Sequence, residues 1–221
     1  TSAALEVVIG RLRAGTPQTI VIGMGHGSCT CEGAAFEYVF NVDHLLRERG
    51  VRELARVIYL TNEHELGDFG VGGMQFEHSG ATNTSEKWMG SLFQERGIEV
   101  ILQAHVTEVL PNAATYDTIS GEHCRVEFDF AMLLPPFKGV GIDAFDREGH
   151  SITDELFAPS GFLKVDADYT PKPYEQWSAT DWPSTYQSPK YSNLFGVGIA
   201  FAPPHAISKP YQTPAGAPVA P

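Results

Sequence analysis

Apolar positions along the chain change period several times, and each change marks an element. Residues 3–15 (AALEVVIGRLRAG) are apolar at helical spacing and stop on Gly15, ahead of Pro17. Residues 19–25 are continuous, apolar and β-branched, which predicts a buried strand. Residues 32–49 place Ala35, Tyr38, Val39, Val42, Leu45 and Leu46 on one face of a helix, with Gly50 beyond its end. A second strand is predicted over 56–60 (RVIYL), so strand, helix and strand succeed one another at the spacing of a βαβ unit with a parallel pair.

Residues 62–73 read as a loop rich in glycine and acidic side chains. A helix over 85–96 comes next, with Ser85 as its cap and Gly97 as its stop. A third strand is expected over 99–104. Segments 106–110, 114–119 and 124–134 come in hairpin order and predict an antiparallel flap. Ten of the fifteen prolines fall at or after Pro171, so the last fifty or so residues cannot build a core of their own and must lie against another surface. Within them, 192–201 is expected to be one more short strand. The fold class predicted is α/β: a Rossmann-like three-layer domain, with a parallel sheet, helices on both faces and an antiparallel β flap, followed by an irregular Pro-rich segment.

Composition excludes several functions. With 43% hydrophobic and 19% charged residues in 221, the chain is an ordinary globular one. Its net charge of −12 argues against a nucleic-acid surface and against electrostatic docking on anionic lipid. No apolar run is long enough to span a bilayer, and no signal peptide is evident. Three cysteines are too few for a disulfide scaffold, which favours free or reactive thiols. The start at Thr1-Ser2-Ala3 is expected to be an internal one.

The chemistry concentrates in residues 21–33, where the first strand runs into a glycine-rich turn and two cysteines stand where the next helix should begin. A thiol at a helix start faces unpaired backbone N–H groups and the positive end of the helix dipole, which favour the nucleophilic thiolate. Cys31 is therefore a candidate nucleophile, or else a small residue packed under the turn. Cys29 is either a resolving thiol or incidental; a bridge between the two would be strained and easily reduced. His26, Cys29 and Cys31 form half of a metal site, but no second Cys/His cluster completes it, so no metal is expected. Gly23-x-Gly25-x-Gly27 matches the dinucleotide fingerprint imperfectly, and Glu63 stands where a ribose-binding acid belongs. Against NAD, the bulk of residues 29–32 would crowd a pyrophosphate. Asn83-Thr84-Ser85 reads as a glycosylation triplet, of a kind that arises often by chance.

Four segments in order, Cys31 to Tyr38 (CEGAAFEY), Thr61 to His64 (TNEH) with Gly67 and Gly70, Leu134 to Gly139 (LPPFKG) and Asn193 to Ala200 (NLFGVGIA), carry a resemblance to the sulfide:quinone oxidoreductases. These are flavoproteins of the two-dinucleotide-domain disulfide-reductase superfamily. The resemblance implies an internal fragment, with the FAD fingerprint upstream and the C-terminal quinone-binding region downstream. It implies a connecting helix over 1–16, an NAD-like domain over 17–138 and a return segment to the FAD domain over 139–221. Cys31 then matches the cysteine that forms a persulfide, and Glu37 the acid beside it that shuttles a proton, with an ordinary solvated helix residue as the bland alternative. Pro135, Pro136 and Lys138 fall at the crossover near the flavin, and Gly198-Ile199 where related flavoproteins carry a Gly-Asp pair. Asp68 stands where some members have a histidine, so that histidine's role does not carry over.

The resemblance further implies FAD as cofactor, mostly bound outside this chain, sulfide or polysulfide and quinone as substrates, and a cytoplasmic or peripheral membrane location in a prokaryote. Membrane attachment would come through residues elsewhere, and the fragment alone would not turn over. The insert 169–191 is longer than the resemblance leads one to expect and could serve a contact between copies, as in a homo-oligomer. The competing reading is the NAD(P)H-binding domain of a type II NADH dehydrogenase-like flavoenzyme.

Overall fold

A computed structural model describes residues 2–25, 32–68, 73–135, 137–204, 211–212 and 218–219. The chain divides into two compact units, Thr1–Pro136 with Ser208–Pro221, and Phe137–Ile207.

In the first unit the elements are α1 (Ser2–Arg13), β1 (Gln18–Met24), α2 (Glu32–Glu48), β2 (Ala55–Leu60), β3 (Gln75–His78), β4 (Ala81–Thr84), α3 (Ser85–Arg96), β5 (Glu99–Ile101), β6 (Ala104–Leu110), β7 (Ala113–Thr118), β8 (His123–Glu127) and β9 (Phe130–Leu134). A short antiparallel pair, β10 (Tyr211–Gln212) with β11 (Pro218–Val219), completes it. Four strands form a parallel sheet in the order β5-β2-β1-β9.

Alternation along these strands builds two cores. Ile20, Ile22 and Met24 of β1, Val57 and Tyr59 of β2, and Phe130 of β9 face one way. They meet Leu5, Val8, Ile9 and Leu12 of α1, Ala35, Phe36, Val39, Val42 and Leu46 of α2, and Met89 and Phe93 of α3. The intervening residues Val21, Ile58 and Leu60 face the other way, against Val106, Tyr116 and Val126 of the three-stranded sheet β6-β7-β8. Both faces of the parallel sheet are dry, so its strands read as unbroken apolar runs, each fully buried aliphatic side chain contributing about 1.5–3 kcal/mol. The three layers are thus helices, parallel sheet and antiparallel flap. The helices lie on one face only, because β6–β8 already cover the other.

Three expected boundaries move. The run 124–134 is two strands, since at Asp129 the chain leaves the flap: the Asp129 carboxylate accepts from Thr19 N at 2.8 Å and its own N–H donates to Thr19 O. Beyond that staple β9 enters the main sheet beside β1. An exposed hairpin, β3–β4, precedes α3 where no strand was expected. The cap of α3 is Thr84, whose hydroxyl accepts from Lys87 N. Ser85 is instead buried, its Oγ donating to Gly67 O at 2.7 Å and accepting from Met74 N at 2.8 Å.

The C-terminal end of α2 is fixed by charge. Asp43, 2% exposed, takes Arg47 at 2.8 Å and Arg52 at 2.5 Å. Arg52 reaches on to the last carbonyls of α3, donating to Arg96 O and Gly97 O.

The second unit has little regular structure beyond α4 (Thr153–Leu156) and short 3-10 turns. The strand expected over 192–201 does not form. Ala200 N donates back to Val197 O, so the chain turns, and only isolated bridges survive, Gln187 with Phe195 and Leu163 with Phe201. The insert 169–191 is ordered from two sides. Asp166 accepts from Ser184 N and Thr185 N, while Lys172 bridges Asp168 and Asp181. Trp182 and Tyr186 both stand edge-on to Phe201, at 5.6 and 5.1 Å, and Trp177 stands against Trp182. The proline-rich stretch is packed by aromatic rings where it lacks backbone pairing.

Candidate functional site at the carboxyl edge of the sheet

In an open parallel sheet, chemistry collects beyond the carboxyl ends of the strands, where loops leave for the crossovers. Three such ends lie side by side here. β1 ends at Met24, and Gly25 N donates to Leu134 O at the end of β9. β2 ends at Leu60 and runs into Thr61-Asn62-Glu63. Gly23 is required in β1 because a Cβ there would strike the carbonyl oxygen of Leu60.

From this edge the chain passes through residues 26–31 into α2. Cys29 and Cys31, with His26, lie outside the described residues, and so does Pro136. What is fixed is their frame: Cys31 immediately precedes the first residue of a 17-residue helix, and that helix is anchored along its length by Phe36 and Val39 in the core. Phe36 stacks on Tyr59 of β2, with ring centroids 4.9 Å apart. Glu37 is exposed on the second turn of α2, between the buried Phe36 and the half-buried Tyr38, whose phenol is raised by burial. Pro135 comes directly after β9, and so stands at the same edge as Gly25.

Glu63 lies just past β2, where the sequence reading placed it. It is 4% exposed and turned inward. Its Oε2 accepts from the Thr61 hydroxyl at 3.0 Å and from the Tyr59 hydroxyl at 3.4 Å, and its N–H donates to Thr61 Oγ1. One carboxylate oxygen, Oε2, is thus engaged by both hydroxyls. The signal that could have found it is Tyr59, four residues earlier on a strand whose odd positions all face the helices. Asp68 helps close the loop beyond, its carbonyl accepting from Gly73 N at 2.8 Å.

The remaining candidates belong to the second unit. Lys138 is exposed, and the next residue, Gly139, donates to Ser160 O at 2.8 Å. Three residues beyond Ser160, Leu163 donates to Ala200 O, directly after Gly198-Ile199. The turn at 160–163 thus gathers Lys138 and Gly198-Ile199 onto one part of this unit. Val140, Val197 and Ile199 there are 85%, 79% and 59% exposed, an apolar surface left uncovered among the described residues. Among the described residues no group of three His, Cys, Asp or Glu side chains could hold a metal, and no helix is long and apolar enough to cross a membrane.

Layer order, strand order and the glycine-lined strand end define a three-layer α/β unit of the dinucleotide-binding type. No family profile matches the chain. More particular is its likeness to the sulfide-quinone reductase of Aquifex aeolicus (strain VF5), 29% identical over 197 residues, which cover 89% of this chain and 39% of that protein. The crystal structure of the sulfide:quinone oxidoreductase from Aquifex aeolicus superposes with a TM-score of 0.63 at 28% identity, over 88% of this chain and 38% of that one. The resemblance carried by the four sequence segments holds in sequence and in fold, and the chain spans about two fifths of the length of the relative it matches.

Proposed function

We propose that the chain is part of a flavoprotein oxidoreductase that oxidises sulfide and reduces quinone, with Cys31 as the residue that takes the sulfur. The observation that carries this reading is the similarity to a sulfide-quinone reductase over 89% of the chain. Supporting it, Cys31 stands directly before a long, well-anchored helix at the carboxyl edge of a parallel sheet, where a thiolate is favoured. Residues 17–138 serve as the NAD-like domain, residues 1–16 as the connecting helix and residues 139–221 as the segment returning to a flavin domain.

FAD is the implied cofactor, and the residues present fit it. Gly198 has a φ of 62° and open space around it, flanked by the exposed apolar Val197 and Ile199. Such a segment offers backbone N–H groups and hydrocarbon; with Ile199 where related flavoproteins carry an acid that hydrogen-bonds the flavin, only backbone contacts remain. Lys138, next to the Gly139 that donates to Ser160 O, adds a cation. Within the second unit Lys138, Gly198 and Ile199 would hold the flavin, and the resemblance assigns Pro135 and Pro136 to the same cofactor; when bound it would supply a two-electron acceptor between the sulfur centre and quinone.

At the sulfur centre, hydrosulfide attacks Sγ of Cys31 in a disulfide with a cysteine outside this chain. A Cys31–S–SH bond forms and the bond to the second cysteine breaks, its sulfur leaving as a thiolate with the electron pair. Glu37, or solvent through it, takes the persulfide proton. Cys29, two residues earlier in the sequence, suits a resolving role. The NAD(P)H-binding alternative is disfavoured by the inward-turned Glu63.

The deciding experiment is Cys31→Ser in the full-length protein. Sulfide-dependent bleaching of the flavin should be lost while FAD stays bound; a variant that still oxidises sulfide sinks the proposal. Titration of this chain with NADH should give no saturable fluorescence change.

A further inference from the structure

The β3–β4 hairpin and α3 enclose a cleft of about 300 Å³, lined by Phe76, His78, Asn83, Lys87, Trp88 and Ser91. Its two walls are aromatic. Phe76 on the hairpin meets Trp88 on the helix edge-to-face, with centroids 6.1 Å apart and planes at 83°. An edge-to-face pair leaves ring faces open to a third planar group, and Trp88 is 50% exposed.

The cleft is built on a fixed base. Ser85 Oγ ties Met74 N at the root of the hairpin to Gly67 O, and Thr84 caps the helix in the same turn. Strand alternation puts Phe76 and its partner Asn83 on one face of the hairpin and Glu77 with Thr82 on the other, where Thr82 Oγ1 donates to Glu77. Glu77 is therefore turned away, and among the described residues no acidic side chain lines the cleft. Among those residues, too, the Lys87 ammonium has no carboxylate partner. In a chain of net charge −12, a cleft with two aromatic walls, an unpaired ammonium, a histidine and no carboxylate runs against the overall charge.

We propose that this cleft binds a planar aromatic anion, its ring laid against Trp88 and its acid group on Lys87, with His78 and Asn83 at the rim. The volume suits a ligand of about two fused rings, at the small end of the range of ligand pockets. The proposal makes no use of the sulfur chemistry and stands or falls without it.

The test is calorimetric titration of the chain with 2-naphthoate and with the uncharged 2-naphthamide. A single saturable site for naphthoate is expected. Lys87→Gln should weaken naphthoate about tenfold and leave naphthamide unchanged, the difference one ion pair makes in a half-open site. Trp88→Ala should abolish binding of both. Both positions are exposed, so the unfolding midpoint should stay put, and Lys87→Gln decides the matter even where Trp88→Ala disturbs the helix. No saturation at millimolar naphthoate, or equal affinity in Lys87→Gln, overturns the proposal. So does concentration-dependent self-association that Trp88→Ala removes without any naphthoate binding, which would assign the cleft to a contact between copies.

Discussion

Glu63→Ala is the substitution that separates the two readings of the sheet edge. In the structure it removes the acceptor of two hydroxyls, Thr61 at 3.0 Å and Tyr59 at 3.4 Å, in a place that is 4% exposed. A buried hydroxyl that loses its acceptor costs about 1 kcal/mol, more where the acceptor was charged. Deleting the methylenes from a packed site costs about another 1 kcal/mol, giving a total near 3 kcal/mol. For a chain of this length that is a fall of about 6–12 °C in the unfolding midpoint. Glu63→Gln keeps an oxygen for both hydroxyls and should lose about 1 kcal/mol or less. Urea unfolding followed by far-UV circular dichroism reads both. If Glu63→Ala stays within about 0.5 kcal/mol of the parent, the range of an ordinary surface change, the inward placement is wrong. Should the parent also bind NADH and this variant fail to, the carboxylate is a ribose ligand after all and the sulfide reading loses its main structural support.

The other predictions concern the scaffold and the insert. Arg52→Ala leaves Asp43, 2% exposed, to its ion pair with Arg47 and strips donors from Arg96 O and Gly97 O; it should cost about 3 kcal/mol in urea unfolding, and Arg52→Lys should recover less than half, since an ammonium cannot fork. Asp168 is held down to about 2 by its hydrogen bonds from Thr170 and Lys172, against an ordinary 3.8. A carboxylate depressed in the folded state stabilises above its unfolded pKa and loses that contribution as pH falls toward the folded one. The near-UV signal of Trp177 and Trp182 should therefore hold above pH 4 and fade between about 4 and about 2, with Lys172→Gln moving the loss upward. A loss centred above pH 5 would contradict the Asp168–Lys172–Asp181 cluster as its cause.

How legible each part was depends on how it is buried. β1, α2, β2 and α3 announced themselves because each has an apolar surface at its own period, closed by Gly50 and Gly97. The split of 124–134 did not, since Asp129 continues the alternation of Arg125 and Glu127, and only the distant backbone of Thr19 marks it as the point of departure. The β3–β4 hairpin escaped because β3 is exposed along its whole length, leaving no alternation to read. Its one local mark is Ser79-Gly80, both at positive φ, the two-residue turn that joins twisted strands. The segment 192–201 misled in the opposite sense, being apolar enough for a strand yet turned at Gly198. The inward turn of Glu63 was not legible, because an acid after a strand is read as exposed until its hydroxyl partners are known.

The glycine motif at 23–25 shows why a fingerprint and a fold together still underdetermine a cofactor. In a nucleotide-binding turn the glycines let a phosphate approach the backbone. Here both are already explained by neighbouring strands: a Cβ on Gly23 would strike Leu60 O, and one on Gly25 would crowd Leu133 Cβ at 3.0 Å and Leu134 O at 3.1 Å. The three strand ends must close to this distance for β1 to sit between β2 and β9, whatever the loop beyond them binds. The glycines therefore testify to the sheet, and the acid that would complete the nucleotide site is committed to Tyr59 and Thr61.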